Sequence, residues 1–267
     1  GCNLVELINT VDKERLVATN YFSNSGKESL NFAFPFNVRD GQMRIQTPFA
    51  IVRPELDQMP SACKNWFTVG RWVDVSDDRH GITWVTLDAP LVQVGGLTAN
   101  LLNSQTNPSV WRNRVERTQR LYSWAMNNHW GTNYRAYQEG PVVFRFVLLP
   151  HGTYDPAAAM RFGLECSHPL VAMPAEGPLP TGDPLVLIKS DEVVATGLKP
   201  SDDGQALILR LFGADEGDIQ TRVQWIHPVP ADVFLSDTSE KALTRLSPFG
   251  AVEVPGQGVT TLRANLK

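Results

Sequence analysis

The chain has 267 residues, of which 42% are hydrophobic and 19% charged, with a formal net charge of −4. That balance excludes a disordered chain and supplies a large core without disulfides or metals. The densest basic stretch, residues 112–120, holds only four Arg, which excludes a nucleic-acid face, and no apolar run nears the roughly 20 residues that span a bilayer.

Alternation with period 2 dominates from the start of the chain. Residues 16–22 read as a strand that enters a hairpin turn at Asn24-Ser25-Gly26. In 28–36, Leu30, Phe32, Phe34 and Phe36 share one face while Ser29, Asn31 and Ala33 share the other, which predicts a half-buried strand with an aromatic face. Residues 82–87 alternate similarly and stop at Asp88-Ala89-Pro90, where Pro removes a ladder donor. The run 91–94 ends in a Gly95-Gly96 turn, and the polar segment 100–119 predicts a surface excursion.

Residues 115–126 are ambiguous in period. Leu121, Trp124 and Ala125 fit a helix, whereas Tyr122, Trp124 and Met126 fit one strand face; we assign strand. Residues 142–149 are apolar on both faces except at Arg145, as in a central strand between two sheets. The one helix signal is Asp155-Pro156 followed by Ala157 to Arg161, with an N-cap, Pro at the first helical position and strong helix formers.

Pro and Gly cluster between 168 and 184, which reads as a linker or crossover. Short strands follow at 185–189, 193–198, 206–212, 221–226 and 259–266, separated by turns such as Pro200-Ser201-Asp202-Asp203-Gly204. Short strands at that spacing predict a β-sandwich.

Enzyme-type motifs are scarce. The five His (His80, His129, His151, His168, His227) stand apart, with no metal-binding spacing. Cys2, Cys63 and Cys166 form neither a CxxC pair nor a disulfide framework and read as ordinary thiols. The acidic pairs Asp77-Asp78 and Asp202-Asp203 lie among turn residues, where Asp bonds locally. Asp88 differs: it ends an apolar strand, as a buried hydrogen-bonded carboxylate or as a groove residue. The densest polar-aromatic stretch runs from Ser123 to Tyr134 and on through Tyr137 to Gly140. Its candidates are Trp124, Asn127, Asn128, Trp130, Asn133, Tyr134 and Gln138. Amides beside rings suit vicinal hydroxyls and the apolar face of a pyranose, and they equally suit a buried amide network at a domain interface. Both uses stay open.

The same residues carry a resemblance. Asn127-Asn128-His129-Trp130-Gly131-Thr132-Asn133-Tyr134, with Gln138-Glu139-Gly140 and Phe144-Arg145-Phe146, resembles the C-terminal β-region of glycoside hydrolase family 38. So does Lys27-Glu28-Ser29-Leu30-Asn31-Phe32-Ala33-Phe34-Pro35-Phe36, and so do Thr86-Leu87-Asp88-Ala89-Pro90-Leu91 and Leu198-Lys199-Pro200-Ser201 with Leu209-Arg210-Leu211-Phe212. The matches span nearly the whole chain in consistent order.

What the resemblance implies is an all-β chain: a galactose mutarotase-like supersandwich over 1–168, a linker over 169–184, and a smaller C-terminal β-sandwich over 185–267. It further implies a missing upstream catalytic barrel that holds the zinc, the nucleophile and the acid/base of an α-mannosidase. Those motifs have no counterpart here, so the expectation is no catalytic residue, no metal ligand and no cofactor in this chain. Gly1 in place of Met fits a processed or truncated chain. The expected partners are that catalytic domain and a glycan, not nucleic acid or a membrane. Two other readings are a sugar epimerase of mutarotase type, using His129 or His151 with Glu139 or Asp155, and a carbohydrate-binding module.

Overall fold

A computed structural model describes residues 3–15, 28–99, 108–128, 137–174, 176–177, 182–247 and 250–266. The expected strand 16–22 and its turn lie outside the described residues, as do Trp130, Asn133, Tyr134 and His129. The chain divides into two compact units. One holds residues 1–154 with 163–167, and the other holds 155–162 with 168–267.

The first unit is built from β1 (Val5–Lys13), β2 (Ser29–Pro35), β3 (Gln42–Thr47), β4 (Ala50–Val52), β5 (Phe67–Thr68), β6 (Trp72–Ser76), β7 (Gly81–Thr86), β8 (Leu91–Val94), β9 (Arg120–Asn127) and β10 (Gly140–His151). They form a six-stranded sheet, β1-β10-β7-β6-β3-β4, and a four-stranded sheet, β2-β9-β8-β5. Every ladder is antiparallel. The aromatic face expected of β2 is what joins the two sheets. Phe32 and Phe34 meet Phe146 edge-on at 5.4 and 5.1 Å between centroids, and Phe34 meets Trp84 at 5.3 Å. Such ring pairs add about 0.5–1.5 kcal/mol each beyond burial. Ile45, Val73, Val75, Val92, Val94 and Leu121 complete the core.

The segment of ambiguous period is strand from Arg120, where it lies between β2 and β8. Its ladder with β2 carries a β-bulge: Leu30 pairs with Met126 and Asn31 with Trp124, so Ala125 has no opposite number. As a result the consecutive Ala125 and Met126 both pack on the core. β10 is central in its sheet, between β1 and β7, but it does not lie between two sheets: Phe144, Phe146 and Val147 are buried while Val143 and Arg145 are exposed. The Gly95-Gly96 turn follows β8, with Gly95 at φ +83°.

Helix α1 (Pro156–Ser167) is capped as expected: the Ala158 N–H donates to Asp155 Oδ1 at 2.9 Å. It runs six residues beyond Arg161. Gly163 lies against Trp72, where a Cβ would stand 2.7 Å from the indole, so packing sustains the helix past a poor helix former.

The second unit packs β12 (Val193–Pro200), β13 (Ala206–Gly213), β18 (Val259–Asn265), β15 (Asp232–Ser236) and β16 (Ala242–Leu246) as one sheet, with β11 (Val186–Ile188), β14 (Ile219–Trp225) and β17 (Ala251–Val254) as another. β14 alternates strictly, with Ile219, Thr221, Val223 and Trp225 buried. Three of these four join Leu209, Leu211, Val254 and Leu262 in a second core. The chain is therefore all-β and sandwich-built. Among the described residues no helix is long and apolar enough to cross a membrane.

Candidate functional site

Asp88 sits where β7 hands over to β8. Thr86 shapes that turn, since its Oγ1 accepts the Ala89 N–H and donates to the Ala89 carbonyl. The turn delivers Asp88 to Arg145 on β10. Asp88 Oδ2 accepts from the Arg145 backbone N–H at 2.8 Å and from Nε at 3.0 Å, while Oδ1 accepts from Nη2 at 2.8 Å. These hydrogen bonds, and then the guanidinium charge, hold the Asp88 carboxyl below the usual carboxylate range.

Asp88 is also part of the wall of a groove of about 410 Å³ in the first unit. The bulged end of β9 supplies Trp124, Ala125, Met126 and Asn127, followed by Asn128, and the start of β2 supplies Ser29 and Leu30. Tyr137, Gln138, Lys13, Glu28 and the 89–91 turn close it. Five of the eight candidates read from the sequence (Asp88, Trp124, Asn127, Asn128 and Gln138) thus meet around one cavity. The other three lie outside the described residues.

Their environments differ. Trp124 is 3% exposed and packs on Trp66 with centroids 6.0 Å apart, so only its margin reaches the groove. Asn128 is 7% exposed, and its Oδ1 accepts the Glu28 N–H at 2.6 Å while its own N–H donates to the Glu28 carbonyl at 3.2 Å. This reciprocal pair ties the start of β2 to the end of β9, in the manner of the buried-network reading. Gln138 is exposed, and Asn127 is half-buried.

Three further groove residues are not among the eight candidates. Lys13 and Glu28 form an ion pair across 15 positions; Glu28 falls in the 27–36 segment that carries the family resemblance, and Lys13 in none. Tyr137, whose ring is covered by the Arg15 guanidinium at 3.9 Å, stood in the polar-aromatic stretch but was not singled out.

The turn at Asp77 bonds locally, as expected, whereas that at Asp203 also reaches Arg263 across 60 positions. Asp77 Oδ1 accepts the Arg79 and His80 N–H groups, and Asp203 accepts from Ser201 and Gln205. Among the described residues no three His, Cys, Asp or Glu side chains converge as metal ligands would. Burial, then the charges of Glu165 and Glu6, push the Cys166 thiol up, away from reactive thiolate.

His151 is not among the groove residues. It reaches over Gly81, its ladder partner, where a Cβ would lie 2.3 Å from the imidazole. Beyond it lies Asp74, which is 0% exposed. His151 Nε2 is 2.7 Å from Asp74 Oδ2 and Nδ1 is 3.0 Å from the Gly152 carbonyl. Thr83 Oγ1 and Ser76 Oγ donate to the same carboxylate at 2.9 and 2.5 Å, and Arg44 donates to Ser76 at 3.1 Å. The hydrogen bond to Asp74 raises the His151 pKa above its ordinary value, against the burial that lowers it.

A β chain of two sandwich-like units whose described strand ladders are antiparallel, one with an amide-lined groove, is the class that this architecture defines. No protein-family model matches the sequence, and no curated protein matches it. Solved structures do. An α-mannosidase from Enterococcus faecalis V583 shares the fold with a TM-score of 0.68 at 14% identity, over 98% of this chain and 27% of that one. A protein of glycosyl hydrolase family 38 from Enterococcus faecalis gives 0.66 at 14% identity, over 98% and 28%. At that identity the likeness is one of fold, and this chain spans about a quarter of their length.

Proposed function

We propose that this chain serves as the non-catalytic, mutarotase-like β-region of an α-mannosidase-like glycoside hydrolase. In this reading it packs against a catalytic barrel that carries the zinc and shapes the barrel's substrate groove. The observation that carries the reading is the asymmetry of coverage. Nearly all of this chain finds a counterpart, while almost three quarters of an α-mannosidase of the same fold lies outside the match.

The groove's own chemistry supports a role in binding rather than cleavage. Glycoside hydrolysis needs one carboxylic acid held protonated beside a second, ionised one. Here Asp88 is salt-bridged to Arg145, which holds its carboxyl below the usual range and makes it a poor proton donor, and Glu28 is paired with Lys13. The amides and rings around the cavity also favour a second reading, a carbohydrate-binding module that acts without an enzyme parent.

The test is a chromogenic α-mannoside assay on this chain and on the protein extended upstream along its gene. The expected result is no turnover by the 267 residues with or without zinc, and zinc-dependent turnover by the longer protein. Hydrolysis by this chain alone, or an upstream sequence that encodes no barrel with zinc-binding His and Asp, overturns the proposal.

A further inference from the structure

The described charged residues that line the groove of the first unit are Lys13, Glu28 and Asp88. Lys13 pairs with Glu28, and Asp88 pairs with Arg145. Among the described lining residues an anionic ligand meets two carboxylates and a single cation, Lys13, already paired with Glu28, while Arg15 lies beyond the lining on the Tyr137 ring; a cationic ligand would have to displace Lys13 or Arg145 from its partner. What the wall does offer is acceptor capacity beside apolar surface.

A carboxylate has about four lone-pair sites, and Arg145 fills three of those on Asp88: two on Oδ2 and one on Oδ1. The fourth belongs to a side chain in the groove wall, oriented by a two-pronged guanidinium and therefore fixed before any ligand arrives. Asn127 and Gln138 add amides that both donate and accept, and Leu30, Pro90 and Met126 add apolar surface. Hydroxyls along one edge and an apolar face on the other are the shape of a pyranose. The volume of about 410 Å³ lies at the small end of ligand cavities, which run from about 300 to 1,000 Å³. It suits one or two rings rather than a long chain.

We infer that this groove binds the end of a neutral saccharide and rejects acidic sugars, with Asp88 as the hydroxyl-accepting anchor and Arg145 as its positioning residue. The choice of a mannoside as first probe rests on the glycosidase reading above; the preference for a neutral sugar rests on the groove alone.

Calorimetric titration of the chain with methyl α-D-mannopyranoside, and with the anionic methyl α-D-glucopyranosiduronate, tests this at two salt concentrations. Saturable binding of the neutral sugar in the millimolar range, unchanged by salt, is expected, with the acidic sugar about tenfold weaker or more. Asp88→Asn should weaken the neutral sugar about tenfold. Gln138→Ala, at an exposed position that leaves the melting temperature unchanged, should weaken it about threefold and keeps the test open if the first variant does not fold. No saturable heat up to about 50 mM mannoside, equal or tighter binding of the acidic sugar, or wild-type affinity in a folded Asp88→Asn protein each overturns the inference. Binding is read on this chain and hydrolysis on the longer protein. A groove that takes no sugar thus leaves the glycosidase reading standing, and an inactive longer protein leaves the groove reading standing.

Discussion

Replacing His151 with Gln removes a charge while keeping a donor of similar reach. Both ring nitrogens of His151 face oxygens that can only accept, Asp74 Oδ2 at 2.7 Å and the Gly152 carbonyl at 3.0 Å. Only the imidazolium can donate to both; a neutral ring turns a lone pair towards one of them. A hydrogen bond to a charged group contributes about 1.5–3 kcal/mol, and stripping the partner from a buried ion costs about 3–5 kcal/mol. The His151 side chain keeps 20% exposure and Asp74 retains two hydroxyl donors, so the lower part of that range applies, about 2–3 kcal/mol. For a unit of this size that corresponds to a fall in Tm of about 5–10 °C. Because the folded pKa is raised, the contribution is fully present below the unfolded value of about 6.5 and fades as pH rises through the folded one. The gap between wild type and variant is therefore wide at pH 5.5 and narrows by pH 9. Tryptophan fluorescence melts report it, since six of the seven Trp lie in the first unit. A gap below about 1 °C at pH 5.5, or one that stays constant to pH 9, would refute the reasoning.

Gly81→Ala places a Cβ 2.3 Å from the His151 ring and 2.6 Å from the Ser76 Cβ; it should cost about 2 kcal/mol, and part of that cost should remain on top of His151→Gln in a double-mutant cycle, because the Ser76 contact is unchanged. Phe34→Ala removes a ring that touches Trp84, Phe36 and Phe146 and should cost about 3–5 kcal/mol, read as a lower urea midpoint with unchanged slope. Phe49 stands at φ +58°, so Phe49→Gly should stabilise by about 1 kcal/mol and raise Tm, and a lowered Tm contradicts the assigned backbone. Asp203 is held at a pKa of about 2 by Ser201, then by the Gln205 N–H and Arg263. Its contribution is present above the ordinary 3.8 and lost as pH falls towards 2; carboxyl NMR should show the titration move up in Arg263→Ala.

Strands with an unbroken apolar face could be read from the residues alone. Phe32 and Phe34 announced the core of the first unit, and the regular turns beyond residue 184 announced the second sandwich. In β1 the alternation that opens the chain is weaker, because Glu6, Asn9, Thr10, Asp12 and Lys13 interrupt its apolar residues. An edge strand with one exposed face needs no clean alternation, and β16, exposed over most of its length, needs even less. The amide-rich stretch and Asp88 marked part of the groove, and the resemblance marked the fold. What could not be read were partners fixed only in space. Asn128 meets Glu28 across 100 positions and His151 meets Asp74 across 77. Neither separation leaves a local signature, and each follows from sheet order that no window of sequence contains.

The surplus residue in β9 has a consequence for how this wall could change. Trp124 to Asn127 all line the cavity, and the bulge at Ala125 sets which of them also pack on the core. Removing Ala125 would turn Met126 and Asn127 half a revolution and present a different pair of groups to whatever enters, with Arg120 to Trp124 still in place. Loss of a single codon could thus redraw the lining while the aromatic centre of the unit stays untouched.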